Sequence, residues 1–217
     1  MPSFSWLHFG FLIQGLMWTV ALSLIAGVGG SLVGFAVALA RTSRAMWLRG
    51  LSLVYVQILQ GTPLLILMFL GYFGFSMLGF QRLPAIVAAG VAMTLFASAY
   101  LGEIWRGCIQ SVAHTQWEAA ECLGLSRWEQ LRFVVLPQAR RIATPPTVGF
   151  AVQIVKNTSL ASVVGFVELA QAGKIVNNST FQPFIVYVVV AFLYFCLCWP
   201  LSVWSRQLER KFNVGRC

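Results

Sequence analysis

Charge is scarce in this chain. Only 10% of its 217 residues are Asp, Glu, Lys or Arg, and just six of these are acidic. A soluble domain of this size keeps a charged surface around its core, and too few charges are present to cover one. Histidine is limited to His8 and His114, which leaves no histidine-based zinc constellation. The five cysteines form no framework. Cys108 and Cys122 fall in a basic connection expected on the reducing side of a membrane. Cys196 and Cys198 stand two apart on an expected helix, so their side chains diverge by roughly 200°. No Lys or Arg precedes Arg41, so the opening MPSFSWLHFGFLIQG lacks the basic region of a cleaved signal peptide. No GxxxxGK[ST] occurs, which excludes a P-loop ATPase. A nucleophile–base pair is missing too, so nothing points to an enzyme.

Apolar residues are abundant: they make up 59% of the chain, and the mean hydropathy is +0.78. They gather in stretches long enough to cross a hydrocarbon layer, which takes about 20 helical residues. Five spans are expected, at approximately 12–40, 51–79, 84–105, 143–165 and 183–205. The fold class is therefore all-α and polytopic, one transmembrane domain over 1–217, with a long connection at 106–141.

The net charge of +9 does not indicate nucleic acid, because the basic residues sort between the spans. Arg41, Arg44 and Arg49 separate the first two spans. Arg106, Arg127, Arg132, Arg140 and Arg141 lie between the third and fourth, and Arg206, Arg210, Lys211 and Arg216 follow the fifth. The opposite loops hold only Arg82 and Lys174, and Lys156 sits within a span. Positive charge marks the cytoplasmic face, so the N-terminus is expected outside and the C-terminus inside. Gly30 and Gly34 form a GxxxG pair, with Gly27 and Gly29 beside it, suited to close helix packing.

The 106–141 connection is well punctuated. Thr115-Gln116-Trp117-Glu118 has the form of a capping box that starts a helix running to about Leu123, and Gly124 stands where a left-handed residue closes one. Ser126-Arg127-Trp128-Glu129 is a second capping box, opening a helix expected to end near Pro137. Two short helices joined by a tight turn would make a rigid knob.

Glu118-Ala119-Ala120, then Gly124, then Leu136-Pro137 resembles the EAA signature of ABC importer permeases, with Val134 in its hydrophobic place. Gly61-Thr62-Pro63-Leu64-Leu65, the stretch from Ala99 to Gly107, and Lys156-Asn157-Thr158-Ser159-Leu160 look like the branch that carries polar amino acids. The resemblance covers nearly the whole chain. It implies a permease subunit of the bacterial inner membrane whose knob docks on ABC ATPase subunits. It also implies a second permease subunit, identical or paralogous, and an extracytoplasmic substrate-binding protein. No cofactor is expected in this chain; ATP and Mg belong to the ATPase partner. Glu118, Ala119, Ala120, Gly124, Leu136 and Pro137 are the implied coupling residues.

Lys156 is the one charge inside an expected span, and a charge at that depth is functional by default. Its ammonium suits a substrate carboxylate, with Asn157, Thr158 and Ser159 beside it. Relatives often carry a carboxylate where Asn157 stands, which points to a neutral or acidic amino acid. Glu103 and Arg106 are expected to pair with each other, and Glu168 to lie near the outer surface. The competing class, an ion-coupled carrier or channel, normally needs intramembrane acids or inverted repeats. Neither is evident.

Overall fold

A computed structural model describes residues 5–74, 77 and 84–213, so Arg82 and Arg216 of the charge pattern lie outside the described residues. Among the described residues the chain is helical and has no strand. Three helices are long and apolar enough to cross a membrane unbroken: α1 (Trp6–Thr42), α4 (Ala85–Gln110) and α9 (Pro183–Asn213). At about 1.5 Å per residue α1 spans roughly 55 Å, far more than a hydrocarbon layer of ~30 Å, which demands tilt or extension beyond it. Two bent helix pairs have the length and composition for up to two further crossings.

The second span is not the continuous helix expected over 51–79. It begins at α2 (Met46–Gly61), turns by 100°, and resumes as α3 (Leu64–Phe69) with a π-helical turn at Leu70–Gly74. Pro63 explains the break. The residue before a proline is pushed out of the helical region, and Thr62 is extended, while Pro63 itself opens the next helix with no N–H to waste. Thr62 turns its hydroxyl back to the Ile58 carbonyl, 2.8 Å away.

The fourth span also departs from expectation. Helix α6 (Arg127–Glu129) runs through a π-helical stretch at Gln130–Val135 directly into α7 (Leu136–Asn157). Pro137 therefore does not end the helix. In the wider turn before it, the Leu136 N–H reaches back five residues to the Leu131 carbonyl, and Pro137 falls in the first turn of α7, where a missing N–H is tolerated. After Asn157 the backbone tightens into a 3₁₀ turn at Thr158–Val164, then bends by 51° into α8 (Leu169–Thr180). That last helix has no counterpart among the expected elements.

The exterior is apolar: Leu24, Leu32, Trp47, Phe184, Phe192 and Trp204 are all exposed. This inverts the soluble pattern and fits a lipid or subunit environment. The interior is small and tight, with Leu22, Ala26, Met68, Ala89, Met93 and Ala97 joined by Ile154 and Ala161. Helix α1 packs mainly along α4. A Cβ placed on Gly30 would lie 2.6 Å from the Ala97 Cβ, and one on Gly34 would meet the Ser98 carbonyl at 3.0 Å and the Gly102 nitrogen at 3.2 Å. The two backbones thus touch where Gly34 faces Gly102. Gly27 has nothing within 4 Å and takes no part.

Gly34→Val should overpack this contact and cost about 1–3 kcal/mol. A lowered melting temperature of the detergent-purified protein, with Gly27→Val nearly unaffected, is the expected result.

Candidate functional site

The 106–141 connection begins as helix, since α4 continues to Gln110 and buries Cys108. Glu103 near its end accepts from Arg106 Nε at 2.7 Å, as expected, and also faces Arg41 on α1 at 3.5 Å. The next helix, α5 (His114–Cys122), starts one residue before Thr115, with Ala113 at the cap position. The expected capping box at Thr115 is therefore absent. Glu118 instead meets His114, four residues back, at 3.0 Å.

Gly124 occupies the expected left-handed position with φ 74°. The turn is closed by the Leu125 N–H bonding to the Ala120 carbonyl at 3.2 Å and the Gly124 N–H bonding to the Glu121 carbonyl at 2.9 Å. Ser126 donates its backbone N–H to Glu129 at 2.8 Å and its hydroxyl at 2.6 Å, so the second capping box forms. These bonds hold the Glu129 carboxyl below the ordinary carboxylate range.

Two contacts that the sequence did not indicate lock the turn. Buried Gln130 donates to the Leu125 carbonyl at 2.8 Å, and the Arg127 guanidinium lies 4.1 Å over the Trp117 ring. A glutamine one turn into the second helix was a weak signal, because its partner is a backbone carbonyl. Ala120 is buried beneath the knob, whereas Glu118, Ala119, Gly124 and Pro137 are exposed and Leu136 is half-buried. Leu123, Trp128 and Phe133 present large apolar surfaces outward. Val135 and Ala139 pack with Ala38, Ile109 and Val112, which ties the knob to the ends of α1 and α4.

At the other end of α7, Lys156 is exposed rather than buried in the single chain. It opens on a groove of about 760 Å³ between α7 and α9, lined also by Gln153, Tyr194, Cys198, Trp199 and Arg206. Among the described residues no carboxylate lines this groove. Lys156 forms no ion pair among the described residues. Asn157 accepts from Gln153 at 3.1 Å. Thr158 is fully buried and donates to the Val155 carbonyl, and Ser159 donates to the Lys156 carbonyl, each at 2.8 Å. These hydroxyls help end α7, so of the four residues Lys156 opens most freely to the groove.

Glu168 is not at the surface. It is fully buried, caps α8 through the N–H groups of Ala170 and Gln171, and accepts from the Tyr194 hydroxyl at 2.7 Å. An acidic residue just ahead of a helical run is an N-cap signature, and that signal was available in the sequence. Tyr100 stacks on Phe150 at 5.6 Å, so it serves packing. No group of three or more metal-binding side chains occurs among the described residues.

The family model for the binding-protein-dependent transport system inner membrane component matches residues 30–214. The chain belongs to this family. It is a multi-pass permease of the inner membrane. Over 204 residues the permease is 35% identical to the probable amino-acid ABC transporter permease protein YckA of Bacillus subtilis, covering 94% of this chain and 90% of that one. It is 32% identical to the glutamine transport system permease protein GlnP of Escherichia coli K12, covering 96% of each. A solved amino acid ABC transporter crystallised with histidines matches it with a TM-score of 0.88 at 30% identity, over 97% of this chain and 100% of that one.

Gly124→Val should strain the turn by about 1–2 kcal/mol. Hydrogen exchange should show faster amide exchange over 114–125 with α4 unchanged, and Gly124→Ala should have a smaller effect.

Proposed function

We propose that this chain is the permease subunit of an ATP-driven, binding-protein-dependent importer of polar amino acids, neutral or acidic rather than cationic. The observation that carries the substrate class is the groove beside Lys156, which offers positive charge and lacks a carboxylate. Every amino acid brings a carboxylate to such a site, but a cationic side chain finds no counter-charge there. The relatives named for glutamine and for amino acids support the same class.

The knob is the docking point for an ABC ATPase subunit, which holds ATP and Mg. Its exposed tip supports this: Leu123, Trp128 and Phe133 are costly in water and need cover, and Glu118 and Ala119 flank them. Docking there would pass ATP-driven closure into α7 and so toward Lys156, a rigid-body change around a central site. The groove is open in one copy, which supports closure by a second permease subunit, identical or paralogous. An extracytoplasmic binding protein delivers the substrate from the opposite side. One transmembrane domain then fills 1–217, with the N-terminus outside, the C-terminus inside and the 106–141 knob in the cytoplasm. The ion-coupled carrier has no comparable support.

The complex reconstituted with its ATPase and binding protein should take up glutamine, glutamate or cystine in preference to arginine. Strong preference for arginine would overturn the charge argument. Lys156→Ala should lower uptake by at least about tenfold, the scale of one lost charge-assisted contact. Glu118→Lys should leave the permease in the membrane yet reduce recovery of the ATPase with it.

Topology is checked with two thiols. Cys122, exposed at the end of α5, should resist an impermeant maleimide in intact cells and react in inverted vesicles. A cysteine at the exposed Lys174 position should do the reverse.

A further inference from the structure

We propose that Tyr194 forms the wall of the groove opposite Lys156 and contacts the bound amino acid, and that Glu168 is a positioning residue that fixes its ring. This rests on reading the Lys156 groove as the substrate site.

Lys156 on α7 and Tyr194 on α9 line the same groove from two different helices. Tyr194 is half-buried: its ring borders the opening while its hydroxyl points inward to Glu168 Oε2 at 2.7 Å. Glu168 cannot swing away, because its two oxygens are held at 2.8 Å each by the first N–H groups of α8. Helix α8 is pinned in turn to α1, where the Leu169 N–H donates to Thr19 Oγ1 at 3.1 Å. The Tyr194 hydroxyl also faces Thr158, two residues beyond Lys156. The ring is therefore tied to the buried end of α8.

A helix cap alone does not call for this arrangement. Ser, Thr or Asn caps a helix as well as any carboxylate, without placing an acid in a membrane interior. Glu168 forms no ion pair among the described residues, yet it is fully buried. What the longer acid adds is its reach to α9, where it anchors the hydroxyl edge of the tyrosine ring. An amino acid with its carboxylate on Lys156 directs its ammonium away from the lysine. An aromatic face held in place this way suits that ammonium, through cation–π attraction. Lysine and tyrosine would then read the two charges that all amino acids share, which leaves the side chain to be sorted elsewhere.

The test is equilibrium binding of radiolabelled amino acid to the purified permease–ATPase complex. The probe is whichever of L-glutamine, L-glutamate and L-cystine the reconstituted wild type takes up fastest. Tyr194→Leu should weaken binding at least about fivefold, the size of a partly desolvated cation–π contact. Tyr194→Phe keeps the ring and loses its anchor, so it should weaken binding less, by about threefold. Glu168→Gln should match Tyr194→Phe. The double variant should be no worse than the more weakly binding single one, because both act on the one Tyr194–Glu168 contact. A purely structural role would instead lower the melting temperature of the complex and leave the dissociation constant unchanged. Wild-type binding by Tyr194→Leu, or multiplying effects of Glu168→Gln and Tyr194→Phe, overturns this proposal. Lys156→Met separates the two layers: wild-type binding by that variant removes the groove itself, whereas loss of binding there with Tyr194→Leu unaffected removes only the tyrosine and its anchor.

Discussion

A hydrocarbon layer offers no water to a peptide group, so every N–H and C=O inside it must find a partner within the protein. That constraint governs the whole chain. It forces helix on every crossing, and it makes each interruption of helix a place that must supply its own hydrogen bonds. At Thr62 the side chain answers the Ile58 carbonyl. Around Glu168 the carboxylate answers two N–H groups and Thr19 a third. With apolar surface on the outside as well as the inside, burial does not distinguish helix from lipid, and close backbone contact takes over as the organising force. The meeting of Gly30 and Gly34 with α4 is the clearest instance.

The polar groups of the interior follow the same logic. Thr19, Ser98, Thr158, Glu168 and Thr180 are all buried, and each has a hydrogen-bond partner. Most hydroxyls return to a carbonyl three or four residues back on their own helix. Others link distant parts of the chain, among them Thr19 with Leu169, and Tyr55 with Ser98 at 2.6 Å. Such long-range links fix how helices stand against each other, which apolar packing alone leaves looser.

Much of this was legible from residues alone. Apolar runs gave the crossings, Gly30 and Gly34 the tight helix pair, and Gly124 with Ser126 and Glu129 the knob. Failures came where local rules compete. Pro137 is a helix breaker by type, but a wider turn just before it absorbs the missing N–H. Thr115 has the spacing of a cap, yet the chain starts helix one residue sooner. Pro63 was visible, but a hydropathy average smooths over a single residue and hides a 100° bend. Glu168 was misplaced because exposure depends on what packs over a residue, and Tyr194 lies 26 positions away.

The unbroken run of helix from Arg127 to Asn157 gives the molecule a lever arm. At about 1.5 Å per residue its 31 residues reach roughly 45 Å, of which about 18 Å lie beyond Pro145, so a tilt of about 5° about that point displaces the far tip by about 1.6 Å. Stiffness along that arm is uneven. Pro145 and Pro146 leave the carbonyls of Arg141 and Ile142 without their usual donors, and Ser205 of α9 binds the Pro145 carbonyl at 2.9 Å. The arm is thus softest where it is pegged to its neighbour, so α9 acts as the fulcrum. Under the proposed docking, a push at the basic end would then swing Lys156 instead of sliding the whole helix.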